Sequence, residues 1–170
     1  EFLRGHSSLV AGDNIKLVCD LHKSFCKCTG LKESLDQFYG WGQLLLSDFD
    51  DIDKNMADAD KVFSNITDLH DLDDMSYLTE EQRNMLRRFF NNVNQSKEES
   101  TLKKRFEHLW SHLAEIYHDY QARLRRQDIG YEGMIYREVA ESKHLTLRYD
   151  RYVFVGFNLL HKAEQMLFSR

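Results

Sequence analysis

Asp48, Asp50, Asp51 and Asp53 form the densest set of potential ligands in the chain, and clustered carboxylates suit Mg²⁺ or Ca²⁺. Their spacing resists an EF-hand, which needs a turn glycine at position six and a glutamate at twelve, whereas Lys54 and Asn55 follow here. In helical register the four carboxylates fan around the axis, so they read as a solvated acidic face. Glu115 with His118 and Glu141 with His144 have the Glu-x-x-His spacing of di-iron helical bundles. They fall on consecutive predicted helices, with His144 past the end of its own, which leaves them as surface pairs. His108 with His112, and His22 with Cys26, each offer two zinc ligands at i, i+4. Cys28 stands at the wrong angular offset and no second CxxC-type pair follows, so the set of four is incomplete. With no GxSxG, Walker A or Gly-rich phosphate loop, neither nucleophilic catalysis nor independent nucleotide binding is supported, and no cofactor is expected.

Phosphate contact is the remaining chemistry with residues to carry it. Three basic clusters stand at predicted helix ends and edges: Arg83, Arg87 and Arg88; Lys103, Lys104 and Arg105; Arg123, Arg125 and Arg126. Such residues also serve solubility and the helix dipole, so they are candidate DNA contacts beside that plainer reading. Residues 33 to 74 hold twelve acids against Lys54 and Lys61, a segment charge of −10 in a chain of net −5. The remainder is therefore basic, and an acidic total does not exclude nucleic acid. The interleaved tyrosines and phenylalanines read as core.

Helices must position these groups. Asp13 is an N-cap for a stripe of Ile15, Leu17, Val18, Leu21, His22 and Phe25 that stops at Gly30, giving a helix over 14–29. Ser34 caps a second over 35–56, with Phe38, Trp41, Leu45, Phe49, Ile52 and Met56 as its stripe. Gly40 and Gly42 near its start imply either a late beginning or a neighbouring backbone packed close. Residues 57–76 read as a short helix around Val62 and Phe63, then loop. Thr79 and Gln82 form a capping box for a helix over 79–93, Leu102 to Leu124 mark a long one over 100–127, and Met134, Ile135, Val139 and Ala140 mark another over 131–142. Arg151 to Phe157 carries apolar residues on both alternating faces, which predicts a strand buried on both sides, followed by helical spacing through Leu160, Ala163 and Leu167.

Composition fits this picture. The chain is 42% hydrophobic and 30% charged with no proline, which indicates a globular, mainly helical protein. No apolar run reaches the roughly 18 residues of a membrane span. Cys19, Cys26 and Cys28 are an odd, clustered set that predicts free thiols and a reducing, cytoplasmic setting. The opening Glu1-Phe2-Leu3-Arg4-Gly5 gives the sequence the look of a piece cut from a longer protein.

Val153-Phe154-Val155-Gly156-Phe157-Asn158-Leu159-Leu160 through Gln165 is similar to the Walker B region of UvrD-type superfamily-1 helicases, an apolar strand followed by Asp-Glu-x-Gln-Asp and a later Gln. Gly156 and Phe157 stand where the Mg²⁺-binding Asp and water-activating Glu belong, and Gln165 keeps the family's residue. Glycine and phenylalanine can neither hold Mg²⁺ nor orient water. This degenerate pattern, with Phe38-Tyr39-Gly40-Trp41-Gly42, Leu45 to Asp53 and Tyr131 to Arg137, resembles AddB-like proteins, the inactivated helicase half of PD-(D/E)XK recombination nucleases.

The resemblance implies a mainly α, multi-helix bundle-like subdomain over 1–150 and a strand-helix remnant of a truncated α/β helicase core over 151–170. It further implies a non-catalytic fragment of a bacterial DNA-end-resection helicase/exonuclease, with DNA and a motor helicase subunit as partners. A helical protein-interaction module without nucleic-acid binding is the alternative. One continuous basic groove would favour the first and a basic patch split by acids the second.

Overall fold

The computed structural model describes residues 3–68, 108–143, 145, 151–153, 155–156 and 159–169. The described chain is mainly α-helical, with a short parallel two-stranded sheet. Its helices are α1 (Asn14–Thr29), α2 (Leu35–Lys54), α3 (Ala59–Asp68), α4 (Leu113–Arg125), α5 (Glu132–Glu141) and α6 (Lys162–Phe168). Strands β1 (Val10–Ala11) and β2 (Ile129–Gly130) pair with Val10 opposite Ile129. The predicted helix over 79–93, and residues 100–107 of the one predicted over 100–127, lie outside the described residues.

The first two helices start and stop where their capping residues direct. The Asp13 side chain accepts from the Ile15 and Lys16 amides at 3.0 and 3.3 Å, satisfying two donors that the first turn leaves without partners. At the far end Gly30 adopts φ of 70° and returns its N–H to the Cys26 carbonyl, a left-handed cap that a side chain would oppose. Gln37 Oε1 accepts from the Ser34 amide at 3.3 Å to start α2.

Both helices bury one stripe. Leu17, Val18, Leu21 and Phe25 of α1 meet Phe38, Trp41, Leu45, Phe49 and Ile52 of α2, and Ile116, Tyr120 and Leu124 of α4 complete the core. Ile15 departs from the expected stripe and is 61% exposed. Gly42 explains the early start of α2: an added Cβ would lie 2.4 Å from the Phe38 ring and 3.1 Å from Val18, so the bare backbone admits α1 and the ring together. Side chains, rather than a neighbouring backbone, fill the gap.

The predicted helix over 100–127 is interrupted within its described part. Residues 108–111 are helical, a turn falls at His112, and α4 runs from Leu113 to Arg125. The His108 carbonyl, which would accept the His112 amide in an unbroken helix, accepts instead from His112 Nδ1 at 2.7 Å and Ser111 Oγ at 2.8 Å. The displaced amide turns to Leu109 O at 3.1 Å.

The predicted C-terminal strand is corrected. Arg151, Tyr152, Val153, Val155 and Gly156 belong to no sheet, Val153 and Val155 are each 87% exposed, and Gly156 takes φ of 92°. A doubly buried strand requires a laddered neighbour on each side. Among the described residues the parallel pair is β1 with β2, and no ladder reaches this stretch. The helix expected after it does form: α6 buries Ala163 and Leu167 and packs on α5 and α2.

Candidate functional site

Two polar arrangements emerge from this scaffold, one buried and one on the surface. The buried one centres on Asp53, which has no exposed surface. Asp53 follows Phe49 by four residues and so shares the inward stripe of α2. Its Oδ1 accepts from Tyr117 Oη at 2.5 Å and Arg137 Nη1 at 2.8 Å, and its Oδ2 from Gln121 Nε2 at 2.8 Å and from the Tyr131 hydroxyl. A second guanidinium nitrogen, Arg137 Nη2, donates to the Ala57 carbonyl at 2.9 Å. Burial and then the hydrogen bond to Asp53 push the Tyr117 phenol above its ordinary value; burial does the same for Tyr131, aided by the Asp53 charge. Both stay protonated donors, and α2, α4 and α5 are thereby keyed together.

This overturns the solvated acidic face for two of its four members. Asp50 accepts from the Gly133 amide at 2.5 Å at the start of α5 and pairs with Lys54 at 2.7 Å, while Lys54 also reaches Glu132 at 2.8 Å. Asp48 and Asp51 do face outward. Asp48 borders apolar surface, and that poor solvation, with the nearby Asp51 charge, pushes its carboxyl up to about 6. A carboxyl raised in the fold weakens stability progressively as pH rises from its unfolded value through about 6. Asp48→Asn is therefore expected to add about 1 kcal/mol at about pH 7 after discounting for solvent screening, and almost nothing near pH 3.5. Thermal melts at the two pH values check it.

The histidine and cysteine candidates resolve into structural roles. His22 Nε2 lies 2.8 Å from the Glu33 carbonyl and 3.3 Å from Cys26 Sγ, and His108 Nε2 lies 3.1 Å from the Thr29 carbonyl. A carbonyl only accepts, so each of these nitrogens carries a proton and cannot ligate a metal. His118 pairs with Asp60 at 2.8 Å rather than with Glu115, and Glu141 with Arg137 at 3.2 Å; His144 lies outside the described residues. Among the described residues no three His, Cys, Asp or Glu side chains come together to hold a metal. The cysteines are free thiols. Burial raises Cys26, and burial with the charges of Glu115 and Asp119 pushes Cys28 up to about 11, so neither is a ready nucleophile.

The surface arrangement is a ridge where α1 meets α4. Lys16, Lys23 and Lys27 stand at i, i+7 and i+11 on one face of α1, spanning about 16 Å. Arg123 and Arg126 extend the ridge from α4, with Arg123 Nε donating to Ser24 Oγ at 3.1 Å. The counter-charges lie beneath: Lys16 and Lys23 meet Asp20 at 3.0 and 2.8 Å, Lys27 meets Asp119, and Arg123 reaches Asp119 at 3.6 Å. Asp20 and Asp119 side chains are only 3% and 11% exposed, against 47% to 64% for the three lysines. Burial pushes the Asp20 carboxyl up, but hydrogen bonds from Lys23, Lys16 and Gln127 outweigh it and hold the group below its usual value. Acids do separate the cations, yet the outer layer of the ridge is positive.

Of the expected contacts, Arg123 and Arg126 join this ridge, and Arg125 turns to Glu138 at 3.4 Å. Arg83, Arg87, Arg88, Lys103, Lys104 and Arg105 lie outside the described residues, as does Phe157. Gly156 is exposed coil, and Gln165 is exposed on α6, donating to the Leu160 carbonyl at 2.9 Å. The three α1 lysines escape a search for adjacent basic residues; their helical spacing is the signal that finds them. Among the described residues no helix is long and apolar enough to cross a membrane. No family model, curated protein or solved structure matches this chain.

Proposed function

We propose that this chain is a non-catalytic, helicase-like segment of a bacterial DNA-end-resection helicase/exonuclease, holding DNA by its phosphates or seating a partner subunit. The observation that carries the reading is the α1–α4 ridge, where the ammonium groups of Lys16, Lys23 and Lys27 stand above the sunken carboxylates of Asp20 and Asp119, with the exposed Glu115 beside Cys28 at the Lys27 end. Away from Glu115, a phosphate can approach this layer and meet the cations first. The FYGWG and SDFDDID blocks supply the family side of the reading. The Walker B-like stretch adds no geometric support, because its described residues belong to no strand. Nor does the cytoplasmic setting rest on more than the free thiols.

Fluorescence anisotropy with a labelled duplex tests it. Three to four phosphate contacts give a slope of log affinity against log salt of about −3 to −4. The triple variant Lys23→Glu, Lys27→Glu and Arg126→Glu is expected to weaken binding at least about tenfold and to flatten that slope. Absent or salt-independent binding, or an unaffected variant, removes the nucleic-acid reading. A second reading, protein docking, is favoured by a different surface on α2, where Asp48 and Asp51 border an apolar recess.

A further inference from the structure

Both helices of the α1–α4 ridge are described along their whole length, and neither offers a free ring to a nucleic-acid base. Phe25, Tyr117 and Tyr120 are buried in the core, the His22 ring lies against Phe38 with centroids 5.1 Å apart, and His118 turns to Asp60. The guanidinium groups are also held: Arg123 Nε donates to Ser24 Oγ and its Nη2 approaches Asp119 at 3.6 Å, while Arg126 Nε donates to the Ala122 carbonyl at 3.1 Å. Proteins that hold single strands without sequence preference stack the bases on aromatic rings, with help from arginine. This ridge has no such platform. Nor can it reach base edges in a groove: α1 and α4 pack side by side, and two helices about 8 to 10 Å apart are together too broad for a major groove of about 12 Å that admits one.

What remains is a row of ammonium groups at set spacing. Lys16, Lys23 and Lys27 follow one another by about 10 and about 6 Å along the axis of α1. Asp20 anchors the first two from below and Asp119 the third. Such a row favours phosphates that are themselves rigid and closely spaced. A duplex presents one charge per about 1.7 Å of its axis in a fixed array, whereas a flexible single strand must first be ordered to match the row. Resting on the nucleic-acid reading of the same ridge, we propose that its substrate is duplex DNA, gripped by the sugar-phosphate backbone, and that it rejects single strands without reading sequence. The exposed Glu115 bounds the contact at the Lys27 end, so the footprint runs from Lys16 to Lys27.

Three labelled probes, titrated with the full chain at one salt concentration, decide it by fluorescence anisotropy: a DNA duplex rich in A·T, a second rich in G·C, and an oligothymidylate with as many phosphates as either. Both duplexes should bind alike, within about twofold, and the single strand at least about tenfold more weakly. Lys16→Gln and Lys27→Gln, one at each end of the row, should each weaken the two duplexes to the same extent and lower the salt slope by about one, with circular dichroism unchanged. A single strand bound within about tenfold of the duplexes, a preference between duplexes beyond about twofold, or indifference of both lysine variants overturns the proposal. If the Lys23→Glu, Lys27→Glu, Arg126→Glu variant still weakens binding in that case, the broader nucleic-acid reading stands. No binding of any probe removes both.

Discussion

Arg137→Met should destabilise the fold by about 3 to 5 kcal/mol, the largest effect expected of any single polar substitution here. Methionine retains much of the packing volume but withdraws the one cation that, among the described residues, pairs with Asp53, a carboxylate with no exposed surface. Two phenols and an amide remain around it, and neutral donors stabilise a buried charge less than a guanidinium does. Urea unfolding of single and double variants is the measurement. Asp53→Leu together with Arg137→Met should cost clearly less than the sum of the two single changes, because the double variant leaves no buried charge without a counter-ion. Additive losses would show that the pair is not the unit that matters.

A glycine contrast gives the second. Gly133→Ala should cost about 3 kcal/mol, because the new Cβ would sit 2.3 Å from the Asp50 carbonyl oxygen and 3.1 Å from its carbon. That obstacle is backbone of α2, which cannot rotate aside as a side chain tip can. Moving α5 away would also stretch the Gly133 N–H bond to Asp50 Oδ1 and the Lys54 bridge between Asp50 and Glu132. Gly40 also lies within a helix but has nothing within 4 Å of its hypothetical Cβ. Gly40→Ala should accordingly stabilise by about 0.5 to 1 kcal/mol through helix propensity alone. Opposite signs for two identical substitutions separate close approach from propensity; matching signs would refute the contact.

The sequence exposes the helices because their signals are local. Asp13, Gly30 and Ser34 mark ends by capping chemistry, and the stripes of α1, α2 and α5 repeat often enough to be read without the fold. Tertiary pairing has no such signal. Each strand of the sheet is two residues long, too short for any alternation, while Val153 and Val155 alternate convincingly and face solvent. The break at His112 depends on which group captures one carbonyl, a competition that apolar spacing does not register.

The polar sites were legible only in part, for related reasons. Counting Asp53 with its acidic neighbours hid its register with Leu45 and Phe49, although that register alone points it inward. Its partners Tyr117, Gln121, Tyr131 and Arg137 come from helices far along the chain. On the surface, Arg123 and Arg126 were visible as a cluster, whereas the α1 lysines share a face only once the helix is wound.

The β1–β2 pairing bears on how the polypeptide reaches this state. Val10 and Ile129 lie about 120 residues apart, and aligning them must wait until α1 and α4 have packed together, since closing so long a loop is entropically costly. The Val10 amide to Asp128 and the Gly12 amide to Gly130, at 2.8 and 3.0 Å, are then late-forming latches. Disrupting them should hasten unfolding while leaving the refolding rate nearly unchanged, so the small sheet governs lifetime more than assembly.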